Sequence, residues 1–153
     1  MNKARAIIKG GLLFPDINGV VILTQYNDGV EVIVRIHNLP PFSRENGLAI
    51  GPFAFHIHNG KNCEVGTIND QFPLVGTHYN PDKQPHGNHA GDFPVLMPNK
   101  DGTAITRFIT DKFKVTDVIG LPILVHLSPD DYRTEPSGNS GIKIACGIIA
   151  SFY

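Results

Sequence analysis

Turn-forming residues interrupt this chain between short apolar runs along its whole length. Its 153 residues include 16 glycines and 12 prolines. Glycine and proline mark turns and loops, so this spacing is typical of an all-β protein with many short strands. A chain of this length is expected to form one domain, residues 1–153, with a substantial hydrophobic core.

Alternation of apolar and polar residues predicts where the strands lie. In residues 30–37, Val30, Val32 and Val34 fall on one face of a half-buried strand. We find no repeat and no convincing amphipathic helix. We therefore predict an all-β, eight-stranded antiparallel sandwich or barrel with two long loops, at 59–94 and 127–141. The predicted strands are residues 4–9, 19–25, 30–37, 53–58, 95–97, 103–108, 121–126 and 142–150.

From the overall charge we expect neither a nucleic-acid nor a membrane partner. The formal net charge is −1, which gives no electrostatic argument for nucleic acid or for an acidic membrane surface, and only a local positive patch would attract an anion. No segment approaches the roughly 20 apolar residues of a membrane helix. The first residues carry no continuous apolar run typical of a signal peptide. We expect a cytoplasmic protein, with a processed exported form as the alternative.

Histidines are concentrated in the middle of the chain. Six of the seven lie between Phe55 and Leu127. His56 and His58 are two apart on a predicted strand, so their rings share one face and offer the start of a transition-metal site. His126 ends an apolar strand and could face the same cavity. The alternative is a polar strand face that carries two histidines by chance.

The first long loop carries a second group of metal-binding residues. His78, His86, His89 and Asp92 lie within fifteen residues and supply a full tetrahedral zinc set. Intervening glycine and proline residues would let the loop curl until these donors converge. A solvated polar loop without metal is the other interpretation.

Taken together, these segments resemble the copper/zinc superoxide dismutase family. The resemblance rests on residues 55–58, 76–81, 89–92, 125–126 and 138–147, which occur in the family's order across nearly the whole chain. The zinc loop is similar to that of bacterial-type members. The resemblance implies a Greek-key β-sandwich or barrel, an architecture of which this family is a known example. It also implies dismutation of superoxide to oxygen and hydrogen peroxide by redox cycling of copper.

The same resemblance implies the metal ligands. One imidazolate, that of His78, would bridge the two metals and carry a proton during turnover. His37 is left over and is interpreted as a surface residue. Copper would be bound by His56, His58, His78 and His126, and zinc by His78, His86, His89 and Asp92.

The two cysteines, Cys63 and Cys146, allow two interpretations. Free thiols are the default in a cytoplasmic protein. The resemblance instead implies a disulfide that ties the first long loop to the last strand. Such a bridge would anchor the loop that carries the zinc donors.

Two further residues have roles that the resemblance implies. Asp130 would join a ligand of each metal, which fixes ring tautomers, although Asp131 is adjacent and the register could slip by one. Lys143 stands where the family usually has an arginine that attracts and orients the anion. Lysine keeps the charge but loses the planar donor geometry, so we expect a lower rate. A solvent-facing strand lysine without special role is the alternative.

Other functions and partners stay open at this point. The runner-up function is a non-enzymatic copper- or zinc-binding, or copper-handling, protein on the same scaffold. A structural β-sandwich with incidental histidines is the third. Superoxide is the expected substrate, and a homodimer and a copper chaperone are candidate partners.

Overall fold

One curled antiparallel sheet dominates the computed structural model, which describes residues 2–152. Seven strands follow the order β6-β10-β11-β1-β2-β3-β9, and two short hairpins, β4–β5 and β7–β8, lie outside this sheet. The elements are β1 Lys3–Gly10, β2 Asn18–Tyr26, β3 Gly29–His37, β4 Ser43–Glu45, β5 Leu48–Ile50, β6 Phe55–Ile57, β7 Gly66–Thr67, β8 Asp70–Gln71, β9 Ala104–Thr110, helix α1 Val115–Val118, β10 Pro122–His126 and β11 Lys143–Ser151.

The predicted all-β antiparallel architecture is confirmed, and the predicted count of eight strands is approximate, since the main sheet has seven and two hairpins lie outside it. Residues 95–97 form no strand, since only Leu96 pairs, as an isolated bridge with Phe53. Pro94 and Pro98 flank this segment and have no N–H to extend the ladder. The β4–β5 and β7–β8 hairpins and the short helix α1 were not predicted, because their few residues show no alternation.

The inner face of the sheet holds the main hydrophobic core. Strand β1 alternates exposed and buried residues as expected, with Ala4, Ala6 and Ile8 facing inward. Strand β10 differs, because all five of its residues are buried. Ile123 and Val125 face the main core, whereas Leu124 packs into a second cluster formed with the first long loop. This loop therefore covers the outer face of β10 and β11.

The predicted disulfide between Cys63 and Cys146 is confirmed. It joins the first long loop to β11, and both residues contact the second cluster around Phe72 and Val75. The bridge thus fixes the loop at the point where it covers the sheet. Among residues 2–152, no helix has the length and apolar character needed to cross a membrane.

Candidate metal centre

Neighbouring strands present three histidines on the outer side of the sheet. In β6, Phe55 and Ile57 belong to the main core, so His56 between them points the other way. His56 lies opposite Leu124 of β10, and His126 follows two residues later on the same side. His58 extends beyond the end of β6.

Backbone hydrogen bonds hold the first long loop against both sides of residues 56–58. His58 forms an isolated bridge with His78, and His56 forms one with Asp92. The Tyr79 N–H donates to the Ile57 carbonyl at 2.8 Å, and the Ile57 N–H donates to the Gly91 carbonyl at 2.9 Å. The loop donors therefore converge on the strand donors because the main chain is paired there, although no regular strand forms.

The first donor set consists of four buried imidazoles whose ligand atoms all lie within 4.8 Å of one another: His56, His58, His78 and His126. The Nε2 atoms of His58 and His126 are 3.4 Å apart. Two backbone carbonyls orient these rings. Nδ1 of His58 lies 3.0 Å from the Gly76 oxygen, and Nδ1 of His126 lies 3.1 Å from the Gly141 oxygen. Donation to these carbonyls leaves both Nε2 lone pairs directed into the set.

The second donor set has the spacing of a tetrahedral site. Asp92 Oδ1 lies 3.0 Å from Nδ1 of His78 and 3.4 Å from Nδ1 of His89. Asp92 Oδ2 lies 3.4 Å from Nδ1 of His86. Ligands bound at about 2.0 Å around a tetrahedral zinc are about 3.3 Å apart. Backbone N–H groups of Gly87 and His89 donate to Oδ2 at 2.9 and 3.0 Å, and so hold the carboxylate in place.

A single carboxylate connects the two sets. Asp130 Oδ2 lies 2.6 Å from Nε2 of His56, and its Oδ1 lies 2.7 Å from Nε2 of His86. The Tyr132 N–H also donates to Oδ1, at 2.7 Å. The neighbouring Asp131 is exposed and accepts from Thr134 instead. Asp130, not Asp131, therefore contacts the rings.

Three buried ring nitrogens provide a direct test of whether metals fit here. Nδ1 of His56, Nε2 of His78 and Nδ1 of His86 have no hydrogen-bond partner. An unsatisfied buried polar atom is costly, and a metal ion would satisfy it. His56 and His86 donate from Nε2 to Asp130, so their Nδ1 atoms carry the free lone pair. The donors present fit two metals, with His78 common to both sets.

Burial favours the neutral form of three rings of the first set, those of His56, His58 and His126. It lowers the pKa of His58 to about 3, against the opposing hydrogen bond to Gly76, and it lowers the pKa of His126 well below 6.5. It also lowers the pKa of His56, although the hydrogen bond with Asp130 acts in the opposite direction. A neutral imidazole is the form that binds a metal, so these sites are poised for metal near neutral pH.

Lys143 and His37 occupy different surroundings. Lys143 begins β11 opposite His126, at a register shift in β10, and is half-buried. Because it pairs with His126, it neighbours the first set in the sheet, and its positive charge adds to the effect of burial in lowering the pKa of His58. His37 is half-buried at the end of β3, where its Nδ1 lies 3.2 Å from Thr103 Oγ1.

Sequence reasoning missed two residues that support the site. The Glu135 carboxylate accepts from the His86 N–H at 2.7 Å. At Gly138, with φ of +70°, an added Cβ would lie 1.9 Å from Asp130 Oδ1 and 2.6 Å from His86 Nε2. Only glycine leaves room for these two side chains to meet. In the sequence both residues look like ordinary loop positions, and although Gly138 begins a segment that carries the resemblance, nothing there indicates its contact with Asp130 and His86.

A curled antiparallel sheet that carries two adjoining donor sets defines a dinuclear metalloprotein. The family model for copper/zinc superoxide dismutase (SODC) matches residues 17–149. The chain belongs to the copper/zinc superoxide dismutase family, whose name gives the metals expected at the two sets.

Individual relatives agree with this assignment. A "Superoxide dismutase [Cu-Zn]" of Deinococcus radiodurans is 36% identical in an alignment 121 residues long, which covers 67% of this chain and 65% of the relative. The chain thus spans just under two thirds of that protein's length. "Superoxide dismutase [Cu-Zn] 1" of Aquifex aeolicus is 32% identical in an alignment 145 residues long, which covers 86% of this chain and 79% of the relative.

A solved structure shares the fold. The Cu/Zn superoxide dismutase from Brucella abortus superposes with a TM-score of 0.76 at 23% sequence identity. The match covers 95% of this chain and 98% of that one. At this level of identity the likeness concerns the architecture of the chain.

Proposed function

We propose that the protein catalyses the dismutation of superoxide. Two superoxide radicals and two protons would give one oxygen molecule and one hydrogen peroxide. The observation that carries this proposal is the pair of complete, buried donor sets that share His78. Membership of the copper/zinc superoxide dismutase family and the printed names of the relatives support it.

In this proposal the first set holds copper and the second holds zinc. Four imidazoles suit copper in both oxidation states, whereas three imidazoles and a carboxylate at tetrahedral spacing suit zinc. When bound, copper supplies a centre that accepts an electron from one superoxide and returns it to the next, and zinc supplies a fixed positive charge.

The protein's own residues would handle the anion and the protons. Two superoxide anions repel each other, and a site that receives them one at a time avoids their encounter. Lys143 would attract each anion, since it carries a positive charge and pairs with His126 of the first set. Nε2 of His78, which is buried and has no hydrogen-bond partner, would hold a proton and pass it to the forming peroxide.

The decisive experiment measures superoxide dismutation by the protein loaded with one copper and one zinc, across a range of ionic strength. We expect rapid turnover that falls as salt screens the attraction. His126→Ala should abolish turnover and copper binding while zinc and the fold are retained. His37→Ala is the matched control, because it removes a histidine outside both donor sets.

Two results would overturn the proposal. Negligible turnover in a protein that firmly binds both metals would favour a metal-binding or copper-handling protein. Full activity of His126→Ala would contradict the copper assignment. The homodimer, the copper chaperone and the cytoplasmic location stay predictions.

A further inference from the structure

One half of the main sheet has an outer face that the long loops do not cover. We call the outer surface of β1, β2, β3 and β9 the basic sheet face. Residues paired directly across antiparallel strands share a face. Ile7 pairs with Val20, Val20 with Arg35, and Arg35 with Ile105, so these four side chains form one row across the face.

A second row runs parallel to the first. Arg5 pairs with Ile22, Ile22 with Ile33, and Ile33 with Arg107. In both rows cationic side chains stand beside aliphatic ones. The face is therefore an interleaved array of aliphatic and basic groups.

Four of the aliphatic side chains on this face are exposed, and the others in these rows are half-buried. Ile7, Ile33, Ile105 and Ile109 expose 49%, 38%, 57% and 59% of their surfaces. Single exposed aliphatic residues are ordinary on protein surfaces, but a contiguous group commonly marks an interaction site. Ile109 belongs to the same face, because it pairs with Glu31 in the next row.

The charge of this face contrasts with that of the whole chain. Its single carboxylate, Glu31, is buried and already paired with Arg107. The chain as a whole carries a formal net charge of −1, so folding concentrates positive charge on one surface. The basic residues of the face are Lys3, Arg5, Lys9, Arg35 and Arg107.

A shallow hollow lies at one end of the face. Its volume is about 310 Å³, and Ile7 and Val20 contribute to its lining together with Lys9, Arg35 and His37. Aliphatic and basic side chains thus line one hollow, and these are the groups that would contact the acyl chains and the phosphate of a phospholipid.

We infer that the basic sheet face docks on the surface of an anionic phospholipid bilayer. Basic side chains would contact the lipid phosphates, and the isoleucines would enter the boundary between the headgroups and the acyl chains. Ionic attraction and burial of apolar surface would thus both contribute to binding. A second copy of this chain is a poor occupant, since face-to-face pairing would bring like charges together. A purely ionic polymer would leave the exposed isoleucines unused. This inference does not depend on the proposed dismutase activity.

The experiment is co-sedimentation of the copper- and zinc-loaded protein with phospholipid vesicles. Vesicles of mixed phosphatidylglycerol and phosphatidylcholine should bind it, and pure phosphatidylcholine vesicles should not. Binding should weaken as salt is raised. Arg35→Gln should reduce the partition coefficient about five-fold, which is typical for one basic residue at such a surface. Ile105→Thr should also reduce the partition coefficient, and threonine is chosen because its β-branched side chain favours the strand conformation.

Matched controls distinguish the face from general charge or stickiness. Arg44→Gln removes an exposed cation from the separate β4–β5 hairpin, and Ile68→Thr removes an exposed isoleucine at the turn of the β7–β8 hairpin. Both controls should bind vesicles as the parent does. Metal content and the unfolding midpoint verify that each variant is folded.

Several outcomes would overturn the inference. These are equal binding to neutral and anionic vesicles, no binding at low salt, or no effect of Arg35→Gln. Tight heparin binding with an unchanged Ile105→Thr partition would indicate a polyanion site. A dimer that Ile105→Thr dissociates would show that a second copy covers the face.

Discussion

The carboxylate of Asp130 lies 2.6 Å from Nε2 of His56, and this contact leaves Nδ1 of His56 free to face the first donor set. The other oxygen of Asp130 fixes His86 of the second set in the same way. Burial acts to raise the pKa of Asp130, but hydrogen bonds with His56 and His86 overcome this effect and lower the pKa. The group therefore stays ionised and orients a ring in each set.

Replacing Asp130 should weaken the binding of both metals. Asparagine has one acceptor oxygen and one NH2 group, so one of the two ring N–H donors would face another donor. We expect Asp130→Asn to reduce the affinity for each metal about 10- to 100-fold, the range typical of such supporting residues. Competition against a chelator measures this. Asp131→Asn is the control and should leave both affinities unchanged, whereas equal losses in the two variants would contradict the assignment.

Gly138 should tolerate no side chain. A Cβ there would overlap Asp130 Oδ1 and crowd His86 Nε2, and the positive φ adds strain. Gly138→Ala is expected to displace Asp130 from His86 and to lower zinc affinity about ten-fold or more. Gly47→Ala is a matched control, because Gly47 has a φ of +80° but nothing within 4 Å of the added Cβ. If the two variants bind zinc equally, close packing at Gly138 is unimportant.

Features of the fold and the site that depend on residues close together in the sequence could be predicted, and those that depend on distant residues could not. Alternation along β3 places Val30, Val32 and Val34 in the core, as expected from sequence. A period of two is a local property, so it is visible in the chain. Spacing along the chain indicated both groups of candidate metal donors, and the resemblance supplied their division between copper and zinc and the Cys63–Cys146 pairing.

The remaining features arise only in three dimensions. The proximity of Gly138 to Asp130 and His86 joins distant loops, and glycine in a loop has no distinctive signal. The uneven charge was equally hidden. Arg35 and Arg107 are 72 positions apart, yet β3 and β9 pair and place them on one face, where a net charge of −1 gives no sign of them.

The metal-free protein should lose stability in weak acid. In the folded state the pKa of His58 is about 3, against 6.5 for an unperturbed histidine, because burial disfavours the charged ring. Below about pH 6.5 the unfolded chain therefore binds protons that the folded chain does not, and the free energy of unfolding falls as pH falls. His126 acts in the same direction.

Urea unfolding of the metal-free protein between about pH 7.5 and pH 5 tests this. The midpoint should fall across the interval, and His126→Gln should show a shallower decline because it removes one buried ring. Asp92 does not interfere. Burial acts to raise its pKa, but the hydrogen bond with His78 lowers the value to about 2, so it protonates only in stronger acid. A flat profile would show that the rings are solvated when metal is absent.

Substitutions at Lys143 can separate the effect of positive charge on the dismutation rate from the effect of donor geometry. Lys143 pairs with His126 of the first donor set, so its positive charge would draw superoxide towards that set. Lys143→Gln should lower the dismutation rate of the loaded protein about ten-fold and flatten its dependence on ionic strength. Lys143→Arg keeps the charge and restores a planar pair of donors, so it should raise the rate.

Lys100→Gln, at an exposed turn residue, controls for the change in net charge. A loss in Lys143→Gln without a gain in Lys143→Arg would mean that attraction matters and orientation does not. Unchanged rates in both variants would exclude Lys143 from the path of the anion.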